Sequence, residues 1–152
     1  MKFKNIAYGT TGLITALQNQ IKLDSSWQVV GLGELGQQVA QQVATEYQLP
    51  VVKIEITREK DELGYLTEPI ISLPVNLGKR LLLCDVGVET GKTALEVATK
   101  LAQQDDDVLT CFAAIVIPKE VQPALKMSFG QVIAARTPLI RRDLRWEFEE
   151  FD

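Results

Sequence analysis

The residues best suited to chemistry lie in one run: Leu81, Leu82, Leu83, Cys84, Asp85, Val86, Gly87, Val88, Glu89, Thr90, Gly91, Lys92, Thr93 and Ala94. The apolar part reads as a strand buried on both faces, closed by an acid. A short loop with two glycines follows, and a helix is predicted from about Lys92. Glycine lets a backbone turn tightly and approach a ligand closely. Successive amides at a helix start converge on one point and suit a phosphate. Thr90 and Thr93 add hydroxyl donors. Asp85 and Glu89 would repel the phosphate itself, so ribose hydroxyls or a magnesium ion are their expected partners.

Composition narrows the chemistry further. The chain of 152 residues contains no histidine, which removes Ser-His and Cys-His catalysis and every zinc site that needs imidazole. Its two cysteines, Cys84 and Cys111, sit in apolar runs and read as buried thiols, with no disulfide expected. A net charge of −4 argues against a nucleic-acid partner but allows a small anionic ligand in a local pocket. No run is apolar enough for a membrane span, and the N-terminus lacks a signal-peptide core, so a cytoplasmic location is expected and a membrane partner is not.

The elements that must position this loop alternate. Leu13, Ile14, Leu17 and Ile21 give helical spacing over residues 11–22, and Asp24 and Ser25 break it. A strand is read at 28–32. An amphipathic helix follows, with Val39, Ala40, Val43, Ala44 and Tyr47 on one face, and Pro50 closes it. Strands are read at 51–56, 81–85 and 108–117, with the helix 92–104 between the last two. A short helical turn near Pro123 and a last strand at 131–135 complete the order. Residues 57–76 form a long polar connection holding Arg58, Glu59, Lys60, Asp61 and Glu62, in which Ile70, Ile71, Leu73 and Val75 read as pieces of strand. The whole of 1–152 is read as one α/β domain, a mainly parallel sheet flanked by helices. Ligands in such sheets bind at the carboxyl ends of strands, which selects two loops: residues 32–36 and 86–91.

Two known phosphate loops compare with the second of these. A Walker A loop needs four residues between its glycines, whereas Gly87 and Gly91 enclose three. The run ending in Glu89, Thr90, Gly91, Lys92 and Thr93 instead resembles the signature of the type I phosphoribosyltransferases, whose hypoxanthine–guanine members end theirs in Asp-Thr-Gly-Lys-Thr. The strand, glycine loop, amphipathic helix, Leu-Pro and strand over residues 28–52 are also similar to that family. The resemblance implies that Glu89, Thr90, Gly91, Lys92 and Thr93 cradle a 5′-phosphate. It implies that Asp85 faces the ribose and touches Mg2+ only indirectly, and that Asp85 and Glu89 are catalytic. Gly33, Glu34, Leu35 and Gly36 would meet pyrophosphate, and 57–76 would be a mobile flap. Phosphoribosyl would pass from phosphoribosyl pyrophosphate to a nucleobase-type acceptor, with magnesium as cofactor and a homodimer as the common assembly.

The family usually has a second acid where this chain has Val86, and a basic residue in the loop that here carries Glu34. Both departures fall on the ligand and leave open a non-catalytic domain of the same ancestry that binds a phosphorylated ligand or a partner. A triphosphate-binding protein is the third reading. For the base, the resemblance points to Lys119 and Trp146. Leu144, Trp146 and Phe148 alternate as an edge strand would, and the basic pairs Lys79-Arg80 and Arg141-Arg142 read as solvated.

Overall fold

The first helix, α1 (Ile6–Gln20), starts where Asn5 accepts a hydrogen bond from the Tyr8 amide at 2.8 Å. A side-chain acceptor at this position satisfies an amide that has no partner inside the helix. The helix therefore begins about a turn earlier than its apolar spacing suggested. In the computed structural model, which describes residues 1–151, β1 (Trp27–Leu32), α2 (Gly33–Tyr47), β2 (Val51–Thr57) and β3 (Ile70–Ser72) follow. Next come β4 (Arg80–Gly87), α3 (Lys92–Gln104), β5 (Leu109–Val116), α4 (Gln122–Ser128) and β6 (Gln131–Arg136).

The six strands form one sheet in the order β3-β2-β1-β4-β5-β6. Every pairing is parallel except β2 with β3. Parallel neighbours need a crossover, and α2, α3 and α4 supply these on both faces of the sheet. One face carries Val29, Leu82, Cys84, Val86 and Ile115 against α1 and α2. The other carries Val30, Leu81, Leu83, Phe112 and Ile117 against α3 and α4. Leu81, Leu82, Leu83 and Cys84 are all buried, which explains why β4 reads as an unbroken apolar run.

Residues 57–76 differ in part from the sequence reading. Thr57 still belongs to β2, and beyond it the connection has only Ile70, Ile71 and Ser72 as strand, paired antiparallel to Glu55, Ile56 and Thr57. Leu73 and Val75 lie outside it, and Val75 is exposed. A further antiparallel bridge joins Lys60 to Leu66. The C-terminal segment differs more. Leu144–Glu147 is a 3₁₀ turn and not an edge strand. The N-terminus closes on it: the Phe3 amide donates to the Glu147 carbonyl at 2.8 Å, and the Glu149 amide donates to the Phe3 carbonyl at 2.8 Å. Among the described residues, no helix is long and apolar enough to cross a membrane.

Candidate functional site

From β1 the chain passes through α2 to β2, on one side of the sheet. From β4, the neighbour of β1, it passes through α3 to β5 on the other side. The two loops therefore diverge and leave a crevice at the carboxyl ends of β1 and β4. A cleft of about 740 Å³ opens there, bounded by Gly33, Glu34 and Leu35 on one side and by Asp85 and Gly87 to Ala94 on the other.

Two glycines allow this approach. A Cβ on Gly31 would lie 2.6 Å from the Gln37 Cα, and one on Gly36 would lie 2.8 Å from the Cys84 carbonyl oxygen. The first two turns of α2 can therefore lie directly on β1 and β4. Gly33, with φ of +70°, makes the sharp turn between β1 and α2.

The loop at residues 87–91 makes the tight turn into a helix that its glycines lead one to expect. Gly91 is buried, adopts φ of +83°, and stands at the N-cap of α3. The first amides of a helix lack intrahelical partners and carry its partial positive charge. The Lys92 amide donates to the Thr90 hydroxyl at 3.3 Å, which holds the loop's shape. The Lys92 ammonium turns away and pairs with Glu68 at 2.7 Å. Arg58 reaches back across the cleft and donates to the Thr93 hydroxyl at 2.7 Å. Both contacts come from residues 57–76, so that connection lies against the loop.

Asp85 is half-buried in the cleft wall and accepts a bond from the Val86 amide at 2.8 Å. It belongs to β4, which runs on to Gly87 and pairs there with Val116. Burial pushes the Asp85 carboxyl up to about 7, and the Val86 amide opposes this only in part. Val86 points the other way, into the core beneath α1 and α2. Glu34 sits in the first turn of α2, exposed, and pairs with Lys53 at 2.6 Å; Glu55 lies 3.1 Å from the same ammonium. These two carboxylates raise the Lys53 pKa above its ordinary value.

No family model matches the chain, and no curated protein matches it in sequence. Solved structures do match its shape. Protein TT1426 of Thermus thermophilus superposes with a TM-score of 0.75 at 17% identity, over 100% of this chain and 92% of the other. A purine phosphoribosyltransferase from Pyrococcus horikoshii gives 0.59 at 18% identity, over 91% and 93%. The adenine phosphoribosyltransferase of Trypanosoma brucei, in complex with AMP, pyrophosphate and ribose-5-phosphate, gives 0.62 at 17% identity, over 95% and 68%. The chain has the type I phosphoribosyltransferase fold.

Within the phosphoribosyltransferase fold, Asp85, Glu89, Thr90, Gly91, Lys92 and Thr93 meet Gly33, Glu34 and Leu35 in one cleft. Gly36 stands behind them, packed on β4. Lys119 and Trp146 do not line that cleft. Lys119 is exposed in a 3₁₀ turn beyond β5, and Trp146 is exposed with the Lys2 ammonium 5.3 Å from its ring centre. Leu144 lines the cleft instead, and sequence reasoning missed it. Its methyl groups occupy the space a Cβ on Gly87 would take, at 2.6 Å. Arg142, read as solvated, donates to buried Glu147 at 2.5 Å, and Arg136 donates to the same carboxylate at 3.3 Å.

Proposed function

We propose that this chain binds phosphoribosyl pyrophosphate or a nucleoside monophosphate in the cleft, and that it transfers phosphoribosyl to a nucleobase-type acceptor in the cytoplasm. The observation that carries this reading is the Gly91-capped start of α3, open to the cleft at the switch point of the sheet, with Asp85 beside it. The loop amides and the Thr90 and Thr93 hydroxyls would hold the 5′-phosphate. Asp85 would accept hydrogen bonds from ribose hydroxyls, and Arg58 adds positive charge at the loop's edge. In the transfer, the bond from the anomeric carbon to pyrophosphate oxygen breaks, a bond to base nitrogen forms, and the nitrogen gives up its proton to solvent. Donors fixed in place would offset the charge gathering on the leaving pyrophosphate.

Three carboxylates line the cleft, Glu34, Asp85 and Glu89, and they do not converge on one point, so magnesium would enter on the ligand. Asp85 is engaged by the Val86 amide and Glu34 by Lys53. Among the described residues, the one close group of three carboxylates is Asp105, Asp106 and Asp107, before β5 and far from the cleft end of the sheet. Magnesium carried on the pyrophosphate would neutralise its charge, with Asp85 as an indirect contact.

A second reading is a non-catalytic binding domain of the same fold. The Glu34–Lys53 pair favours it, because it sets a carboxylate at the α2 N-terminus where pyrophosphate would lie. Pyrophosphate release from phosphoribosyl pyrophosphate and magnesium, followed across a panel of nucleobases, separates the two. Base-dependent release that Asp85→Asn abolishes supports transfer. Tight nucleotide binding with no release for any base supports the second reading.

A further inference from the structure

We infer that Glu147 is a positioning residue whose clamp with Arg142 and Arg136 fixes Leu144 as the selecting wall for the part of the ligand beyond its ribose. This rests on the phosphate-loop reading above. Glu147 is 1% exposed, and a carboxylate so placed is costly unless it is paired. Both of its oxygens are paired: Arg142 Nε donates at 2.5 Å to one, and Arg136 Nη1 donates at 3.3 Å to the other. Arg142 and Glu147 flank Leu144 in sequence, so their bond closes a small ring of chain with Leu144 within it. Arg136 is the last residue of β6, so it ties that ring to the sheet. The Asp143 carboxylate accepts from the Arg145 amide at 2.9 Å and caps the turn inside the ring.

The outcome is a branched apolar side chain seated on the bare backbone of Gly87, at the end of the strand that carries Asp85. Half-buried Leu144 gives this corner of the cleft an apolar surface at the end of β4, next to the phosphate loop. A ligand whose phosphate sits on that loop would present its distal group here, and a flat ring with an apolar face fits the chemistry. Neither exposed Trp146 nor exposed Lys119 reaches this corner.

The test compares ribose 5-phosphate with AMP and UMP as calorimetric probes on the wild-type protein, Leu144→Ala, Glu147→Gln, Arg142→Ala and Arg142→Lys. The wild type is expected to bind at least one nucleotide about tenfold more tightly than ribose 5-phosphate, the size of a single apolar contact in a pocket. Leu144→Ala, Glu147→Gln and Arg142→Ala should each erase that preference and leave ribose 5-phosphate affinity within about twofold. Glu147→Gln combined with Leu144→Ala should lose no more than either alone, as expected of residues acting through one another. Arg142→Lys should restore part of the preference. If Glu147→Gln fails to fold, the two Arg142 variants and Leu144→Ala decide the matter. Folded clamp variants that keep the wild-type preference, or that weaken both ligands equally, overturn the inference. A wild type that binds ribose 5-phosphate but prefers no nucleotide also overturns it. A wild type that fails to bind ribose 5-phosphate overturns the phosphate-loop reading itself.

Discussion

A methyl group added at position 31 should damage the molecule more than its size suggests. The new Cβ of Gly31→Ala would lie 2.6 Å from the Gln37 Cα and 2.8 Å from the Gln37 backbone nitrogen. Those atoms belong to the second turn of α2 and cannot swing aside as a side-chain tip can. Ordinary contact begins at 3.4 Å, so α2 must retreat by roughly 0.8 Å or β1 must bend. Overpacking of this kind costs about 1–3 kcal/mol, and contact with backbone places it near ~3 kcal/mol. A loss of that size lowers Tm by about 6–12 °C in a protein of this length. Gly12→Ala is the matched control. Gly12 lies inside α1 and its nearest neighbours would be 3.7 Å away, so the added methyl meets no clash. Replacing a helical glycine with alanine gains about 0.5–1 kcal/mol. Urea unfolding reads both, as midpoint shifts of opposite sign at constant slope. A Gly31→Ala protein within about 0.5 kcal/mol of wild type, or a Gly12→Ala protein that is equally destabilised, would refute this account of how α2 seats on the sheet.

Three further predictions follow from single groups. Glu147→Gln removes a buried carboxylate from two arginines that can regain water, so it should cost about 2–3 kcal/mol, below the usual loss for a broken buried pair. Burial acts to raise the Glu147 pKa, but bonds from Arg142 and Arg136 outweigh it and hold the carboxyl below its ordinary value; wild-type stability should therefore fall on acidification through that lowered pKa, and the Gln variant should lose this dependence. Asp85 carries the opposite sign. Its pKa is raised to about 7, so the folded state holds the proton more tightly, and its contribution is full in acid and is lost as pH rises from about 4 to 7. Asp85→Asn should gain in stability relative to wild type across that window and stay level above it, as urea midpoints at several pH values would show. Burial pushes the Cys111 thiol up to about 12 and the Cys84 thiol higher still, so a thiol reagent should label neither until the protein unfolds.

The sheet was legible because its signals are local. Leu81, Leu82, Leu83 and Cys84 announce a doubly covered strand, and Val39, Ala40, Val43 and Ala44 announce a helix face. The turn from β4 into α3 was legible for the same reason, since its glycines, hydroxyls and helix start are contiguous. What escaped depended on partners distant in sequence. Gly87 reads as loop, yet Val116 holds it in β4. Leu144, Trp146 and Phe148 alternate like a strand, but burial there falls on adjacent Glu147 and Phe148 and leaves Trp146 exposed. Arg136, 11 residues away, makes a buried Glu147 tolerable, and no periodicity contains that fact. The start of α1 at Ile6 was hidden because Gly9 and Thr10 occupy its buried face there and break the apolar spacing, while the Asn5 cap is a single hydrogen bond.

The role of Gly91-capped α3 as a phosphate seat is tested most directly by calorimetric titration of phosphoribosyl pyrophosphate, with and without magnesium, into the wild type and into Thr90→Ala combined with Thr93→Ala. Magnesium-dependent binding by the wild type, lost or reduced at least tenfold in the double variant, is the predicted result. Heat changes absent for phosphoribosyl pyrophosphate, ribose 5-phosphate and AMP alike, or binding indifferent to both threonines, would contradict it.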